Sequence, residues 1–311
     1  MTMRLRWGRP NLRAHEAMAP AASSSPDSAV TVSFLGVTTL LFDDGESAIL
    51  TDGFFSRPSM TRTLLTPLRT DPAQVDYALK RAGIDTLDAV VCAHCHYDHA
   101  LDSAHVAQRT GAVLVGDEST ALIGRGAELH PSRIATAQPG DELELGHYTL
   151  TFVESEHSAP NRMRGTVGRA LAQPVRVKAY KCGAAWSILV AHNRSGQTAL
   201  VHSSAGFRSN MLAGRTADVA YLAVGQLGHQ SRNFIEKYWS ETVAAVGAHT
   251  VVLTHWDDFF RPLTAPLRAL PYTFDDLDAS LRTLSDCARR DGVHLVELPT
   301  LWRRTDPWAT R

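Results

Sequence analysis

Residues 93–100 read AHCHYDHA, so three histidines and an aspartate fall between His94 and His99. The stretch LDAVVC just before them has the length and β-branched content of a strand. If the chain stays extended beyond Cys92, His94 and His96 project to one side and Cys95 to the other, because side chains alternate along a strand. Asp98 and His99 then fall at the start of the next helix, where free N–H groups and the helix dipole favour a carboxylate. Neutral imidazoles and a carboxylate converging beyond a strand end suit a divalent cation, Zn2+ first, with Fe or Mn as alternatives. A cation held by three histidines with one open position lowers the pKa of its water toward about 7, which makes hydroxide available as a nucleophile. Asp98 is then the group that orients the nucleophile or relays its proton. A polar turn with fortuitous histidines is the competing reading.

The elements that must position these groups can be read from the flanking sequence. VTVSFLG, TTLLFDD and SAILTDG look like consecutive strands joined by Gly and Asp turns, an antiparallel start. PAQVDYALKRA, residues 72–82, begins with Pro and has helical spacing, and LDSAHVAQRTG is a helix that ends on Gly111. AVLVG is the next strand, with others expected at 147–154, 185–191, 198–202, 218–223 and 250–254, and helices over about 233–247 and 274–289. A meander followed by alternating strands and helices predicts two mixed sheets face to face, with helices on their outer sides. Residues 1–28 contain Arg4, Arg6, Arg9, Arg13 and APAASSSPDS without a continuous apolar core, and read as a flexible N-terminal extension rather than a secretory signal. The remainder, 29–311, reads as one domain.

Composition bounds the function. The chain has 311 residues, 44% of them hydrophobic, with 31 basic side chains against 32 acidic ones. That describes a soluble globular protein with a large core; reduced cysteines suit a cytoplasmic enzyme, and the hydrolytic chemistry of the motif calls for a small-molecule substrate. A net charge of −1 offers no overall field for nucleic acid, and no apolar run is long enough for a transmembrane segment. Cys92 and Cys95 form a lone CxxC, and the four cysteines are expected to stay reduced.

With His-x-His-x-Asp-His at a strand end, the sequence resembles the metallo-β-lactamase superfamily over nearly everything from about residue 29 to 300. The resemblance implies an α/β (α+β) fold, a four-layer αββα sandwich with the metals at one edge between the sheets. It implies that His94, His96 and His157, the last from SEHSAP, form one metal site, and that Asp98, His99 and His255, from LTHWDDFF, form a second. Asp52 in ILTDGFF matches the family's early aspartate, which supports the metal loop. The family's bridging aspartate is missing, since TALVHSSAGF has Ser203 and Ser204 there. Its loss weakens dinuclear binding, so one or two ions are open, with Ser204, Asp257 or Asp258 as substitutes in or around the site. His202 faces away from Ser203 by alternation and reads as structural.

CAHCHYDHALD, SEHSAP and SSAGF look most similar to the branch that contains L-ascorbate-6-phosphate lactonase and N-acyl-phosphatidylethanolamine phospholipase D. The implied activity is metal-dependent hydrolysis of a lactone, ester or phosphodiester. Two basic stretches, after Asp52 and after His157, are candidate substrate walls, and Arg57, Arg62, Arg164 and Lys178 in them are candidate receivers of an anionic or acyl-bearing substrate. A nuclease of the same superfamily, or a non-catalytic metal- or ligand-binding protein that has lost the bridging aspartate, are the alternatives.

Overall fold

In the computed structural model, which describes residues 6–20, 28–293 and 295–309, the chain opens with the meander β1 (Thr31–Phe34), β2 (Leu40–Asp43) and β3 (Ala48–Thr51). Helices α1 (Met60–Leu65) and α2 (Pro72–Ala82) follow, then β4 (Ala89–Val91), α3 (Tyr97–Ala100), α4 (Ser103–Thr110), β5 (Val113–Gly116), α5 (Glu118–Gly126) and β6 (Ile134–Thr136). A second meander comprises β7 (Glu142–Leu145), β8 (Tyr148–Ser155), β9 (Ala185–His192) and β10 (Thr198–His202). It leads into β11 (Val219–Ala223), α6 (Arg232–Trp239), β12 (Thr250–Thr254), α7 (Leu277–Asp291), β13 (Leu295–Glu297) and β14 (Arg304–Thr305).

These strands form two seven-stranded sheets, in the orders β14-β1-β2-β3-β4-β5-β6 and β13-β12-β11-β10-β9-β8-β7. In each sheet the strands of the meander pair antiparallel, and the strands reached by helical crossovers pair parallel. The result is the αββα sandwich of the metallo-β-lactamase type.

Alternation assigns each strand's two faces. Phe34, Leu40, Phe42, Ile49, Ala89 and Val91 of the first sheet join Leu150, Phe152, Ile188 and Val190 of the second in the core between the sheets. The residues between them, Leu41, Leu50 and Val90, face outward onto α2, α4 and α5 through Val75, Leu79, Val106 and Ile123. The local signals act as read: Asp71 caps α2 by accepting from Ala73 N and Gln74 N, and Gly83 ends it at φ 71°. The helix expected over 233–247 is interrupted. Beyond Trp239 it widens into a π-helical turn, Ser240–Ala244, where Thr242 Oγ1 donates to Tyr238 O at 2.6 Å.

The described part of the N-terminal segment departs from the loose extension expected. Leu12–Met18 form a 3-10 turn, Arg6 pairs with Asp276 and Asp278, Arg9 with Asp258, and Leu298 N donates to Met18 O. Charge partners far along the chain fix a stretch whose own composition carries no folding signal. Residues 1–5 and 21–27 of that segment lie outside the described residues.

Candidate metal centre

The donor side chains come from strand ends along one edge of the sandwich. Beyond β4, His94 and His96 share one face, while Cys95 turns the other way, its Sγ 3.1 Å from Thr120 Oγ1. Asp98 and His99 sit in the first turn of α3. His157 follows β8 and His255 follows β12. His255 has φ 57°, and its N donates to Val37 O at 2.6 Å. Gly225 makes room for that turn, since a Cβ there would lie 2.8 Å from His255 Nδ1.

Two triplets of donor atoms result: His94, His96 and His157, and Asp98, His99 and His255. Within each, the atoms lie within 4.8 Å of one another. His96 Nδ1 is 3.0 Å from His157 Nε2, and Asp98 Oδ2 is 3.4 Å from His255 Nε2 and 3.8 Å from His99 Nε2. The rings of His94 and His99 join the triplets, with centroids 3.7 Å apart.

Supporting bonds aim these rings. His99 Nδ1 lies 2.8 Å from Asp52 Oδ2, whose other oxygen accepts from Ala93 N at 2.9 Å, and Thr38 Oγ1 donates to the same carboxylate. His157 Nδ1 donates to Ser158 O at 2.9 Å, which leaves Nε2 with its lone pair. Among the described residues, His94 Nε2, His96 Nε2, His99 Nε2 and His255 Nδ1 are buried without a hydrogen-bond partner. Buried polar atoms normally find partners, so the orphaned Nε2 atoms of His94 and His99, whose rings lie 3.7 Å apart, fit a cation, while His96 turns Nδ1 toward His157 and His255 turns Nε2 toward Asp98.

The electrostatics agree. Burial and the neighbouring imidazoles hold His94 well below its usual pKa and bring His157 down to about 3, so both rings are neutral donors. Burial works against charge on Asp98, yet His99 and His255 keep its carboxyl below the usual carboxylate range. Burial also works against charge on His99, but Asp52 and Asp98 outweigh it and raise its pKa. Positive charge is therefore favoured between Asp52 and Asp98 and resisted, as a proton, on the other triplet.

The centre opens into a cavity of about 210 Å3. His96, Asp98, His157 and His255 line it, and so do Tyr97, Met163, Val177, Phe259, Phe260 and Phe274. Arg162 is the one Lys or Arg among the described lining residues. Ser204 also lines it and accepts from Ser158 N at 2.9 Å. His202 is committed to Ser187 Oγ and Gly206 O, at 2.7 Å each.

Several candidates lie elsewhere. Asp257 forms a fully buried ion pair with Arg57 and accepts from Val37 N at 2.9 Å. Neither is therefore available, as a ligand or as an anion receiver. Asp258 pairs with Arg9 and Arg268. Arg62, Arg164 and Lys178 are exposed and do not line the cavity. Of the two expected walls, the stretch after His157 contributes Pro160, Arg162, Met163, Val177 and Tyr180, whereas Phe54 and Phe55 of the other are in the core. The aromatic wall at Phe259 and Phe260 was overlooked in the sequence, although it directly follows His255 and its two aspartates. Thr38 gave no sequence signal at all. The CxxC thiols are free and buried, and burial raises the pKa of both.

Residues 32–166 match the family model described as the metallo-beta-lactamase superfamily, a span that holds Asp52, the motif and His157. No curated protein matches the chain by sequence. Among solved structures, Igni18, a metallo hydrolase from the archaeon Ignicoccus hospitalis, is 18% identical, with a TM-score of 0.52 over 86% of this chain and 94% of its own. The isothiocyanate hydrolase from Delia radicum gut bacteria is 13% identical, with a TM-score of 0.50 over 87% of this chain and 96% of its own. CmlA, a diiron β-hydroxylase from Streptomyces venezuelae, is 10% identical, with a TM-score of 0.52 over 90% of this chain and 54% of its own. At these identities the structural likeness is one of fold. Among the described residues, no helix is long and apolar enough to cross a membrane.

Proposed function

We propose that the chain is a metal-dependent hydrolase of small lactones or carbonyl esters that carry an apolar acyl or aromatic group. His94, His96 and His157 would hold one divalent cation and Asp98, His99 and His255 a second, weaker one, with Zn2+ expected first and Fe or Mn next. A cation there supplies the acidity that makes water nucleophilic near neutral pH and polarises the carbonyl under attack. The protein's own groups supply the rest. Asp98, ionised at the cavity wall, accepts a hydrogen bond from the attacking water and fixes its direction. Tyr97, Met163, Val177 and Phe259 exclude bulk water and bury the substrate's apolar part.

The observation that carries this reading is the set of unpartnered imidazole nitrogens beside a cavity with mostly apolar walls. The family match supports the metal, and the diiron relative in fold keeps iron among the ions to test. The likeness of SEHSAP and SSAGF to the lactonase and phospholipase D-like branch supports the reaction class. A single lining arginine, Arg162, favours carbonyl substrates over phosphodiesters, whose transferred group calls for several cationic partners.

The test loads the purified protein with Zn2+, Mn2+ or Fe2+ and measures bound metal and hydrolysis of aryl esters of increasing acyl length, of lactones and of a phosphodiester. Ester or lactone turnover should rise with acyl length and fall by about 100-fold or more in His96→Ala. Preference for the phosphodiester would overturn the substrate class. Turnover indifferent to His96→Ala would overturn the assignment, and bound metal without turnover would favour a binding protein.

A further inference from the structure

A second convergence of imidazole and carboxylate lies at the opposite end of the strands that carry the metal centre. Asp44 is in the turn between β2 and β3, His147 in the turn between β7 and β8, and His192 ends β9. His147 precedes β8 and His157 follows it, so the two clusters are separated by a strand of roughly 25 Å.

Asp44 Oδ1 accepts from Glu46 N and Ser47 N at 2.8 and 2.7 Å, and this turns Oδ2 toward both rings. His147 Nδ1 lies 2.6 Å from that oxygen and His192 Nε2 2.9 Å from it. Ser47 Oγ accepts from His147 N at 2.9 Å, which ties the two turns together. On the far side of His192, Nδ1 is 2.8 Å from Ser195 Oγ, which donates onward to Gln197 Oε1 at 3.1 Å. Ser195 N–H also donates to Nδ1 at 3.3 Å, so Nδ1 is the accepting nitrogen and Nε2–H the donor to Asp44 Oδ2. Both rings thus turn one nitrogen to a single carboxylate oxygen, and a cation there would take the place of the shared protons.

We propose that Asp44, His147 and His192 form a second transition-metal site, of the Zn2+ class, that clips the β2–β3 turn of one sheet to the β7–β8 turn and β9 of the other. Two imidazoles and a carboxylate are a Zn2+ donor set, and their three donor atoms already lie within 4.8 Å of one another. Tetrahedral Zn2+ spaces such donors about 3.3 Å apart, so an opening of less than about 1 Å admits the ion. His147 can provide it, with its side chain 26% exposed in a turn, and solvent completes the shell. The carboxylate is anchored by backbone amides and His192 by Ser195, the outer support by which protein metal sites hold their ligands.

The test uses the full chain and a His96→Ala/His255→Ala variant, which removes an imidazole from each triplet of the candidate centre at the other edge. After treatment with chelator, each is titrated with Zn2+, followed by bound zinc per chain and by Tm. The double variant should still take up one Zn2+ per chain, and its Tm should rise by about 5 °C at a hundredfold excess of free Zn2+ over Kd. Adding His147→Ala, or separately Asp44→Asn, should abolish both effects. Zinc uptake or a zinc-dependent Tm rise that survives His147→Ala overturns the proposal, as does their absence from the double variant. Failure of the other centre would show separately, as equal zinc uptake by the unmodified chain and the double variant.

Discussion

His99 reaches the candidate centre already oriented, because its Nδ1 faces Asp52 and Thr38 and only Nε2 is left to point inward. Asp52 is itself held at φ 56°, a left-handed turn that aspartate tolerates better than most side chains. Asp52→Ala frees the ring and removes the carboxylate that favours positive charge there. Metal affinity should fall by about 10- to 100-fold, read by competition with a chromogenic chelator. Unchanged affinity would reduce Asp52 to a turn residue. Arg57 shows what a sequence does not reveal at this scale. In a basic loop it reads as an anion receiver, yet its side chain is fully buried against Asp257, which lies 200 positions away. Arg57→Ala would strand that carboxylate in the core and cost about 3–5 kcal/mol of stability, read by urea unfolding. If stability were unchanged and KM for an anionic substrate rose, Arg57 would be a substrate ligand after all. The histidines of the motif were legible because their spacing is local. Pairing across 200 residues leaves no such trace.

At the level of elements, the candidate centre depends on loops held from behind. The turn bearing His255 runs on through Asp257 and Asp258, and Arg9 reaches it from the N-terminal segment. Arg9 Nη1 donates to Asp258 Oδ2 at 2.9 Å and to Ala269 O at 2.7 Å. Asp258 is nearly buried, so the contact is charge-assisted and partly shielded from water. Arg9→Ala should cost about 1–3 kcal/mol and speed amide exchange in residues 257–269, while exchange in β4 and β8 stays unchanged. Uniform exchange across the chain would mean that the segment lies on the body without restraining it. Elements with strong local signals were legible, as with α2 between Asp71 and Gly83, the apolar run of β11 and the β-branched run of β12. β6, β13 and β14 escaped notice because runs of two or three residues carry too little periodicity. β7 was missed although its ELEL alternates, since an exposed edge strand lacks the apolar content that marks a strand.

At the scale of the whole molecule, each sheet repeats one plan, an antiparallel meander followed by parallel crossovers, although the sequence shows no repeat. The sandwich buries titratable groups as a consequence, and two of them make stability depend on pH in opposite directions. Burial brings His202 down to about 4, against its ordinary 6.5, so the unfolded chain binds a proton there that the folded chain refuses. Its contribution is complete above pH 6.5 and is lost as pH falls toward 4. Burial pushes Asp275 up to about 7 from 3.8, so here the folded chain keeps a proton that the unfolded chain releases. That contribution is complete below pH 3.8 and is lost as pH rises through 7. Between pH 4 and 6.5 the two nearly cancel in protons taken up. Asp275→Asn retains the side-chain oxygen that accepts from Gly228 N but cannot ionise, so it should unmask the histidine. Relative to the unmodified chain, its unfolding free energy should gain about 1.4 kcal/mol for each unit of rising pH between 4 and 7. Urea unfolding in chelator at intervals over that range measures the difference. Parallel curves for the two proteins would mean that Asp275 is ionised in the folded state and that burial at the foot of α7 is not what sets its charge.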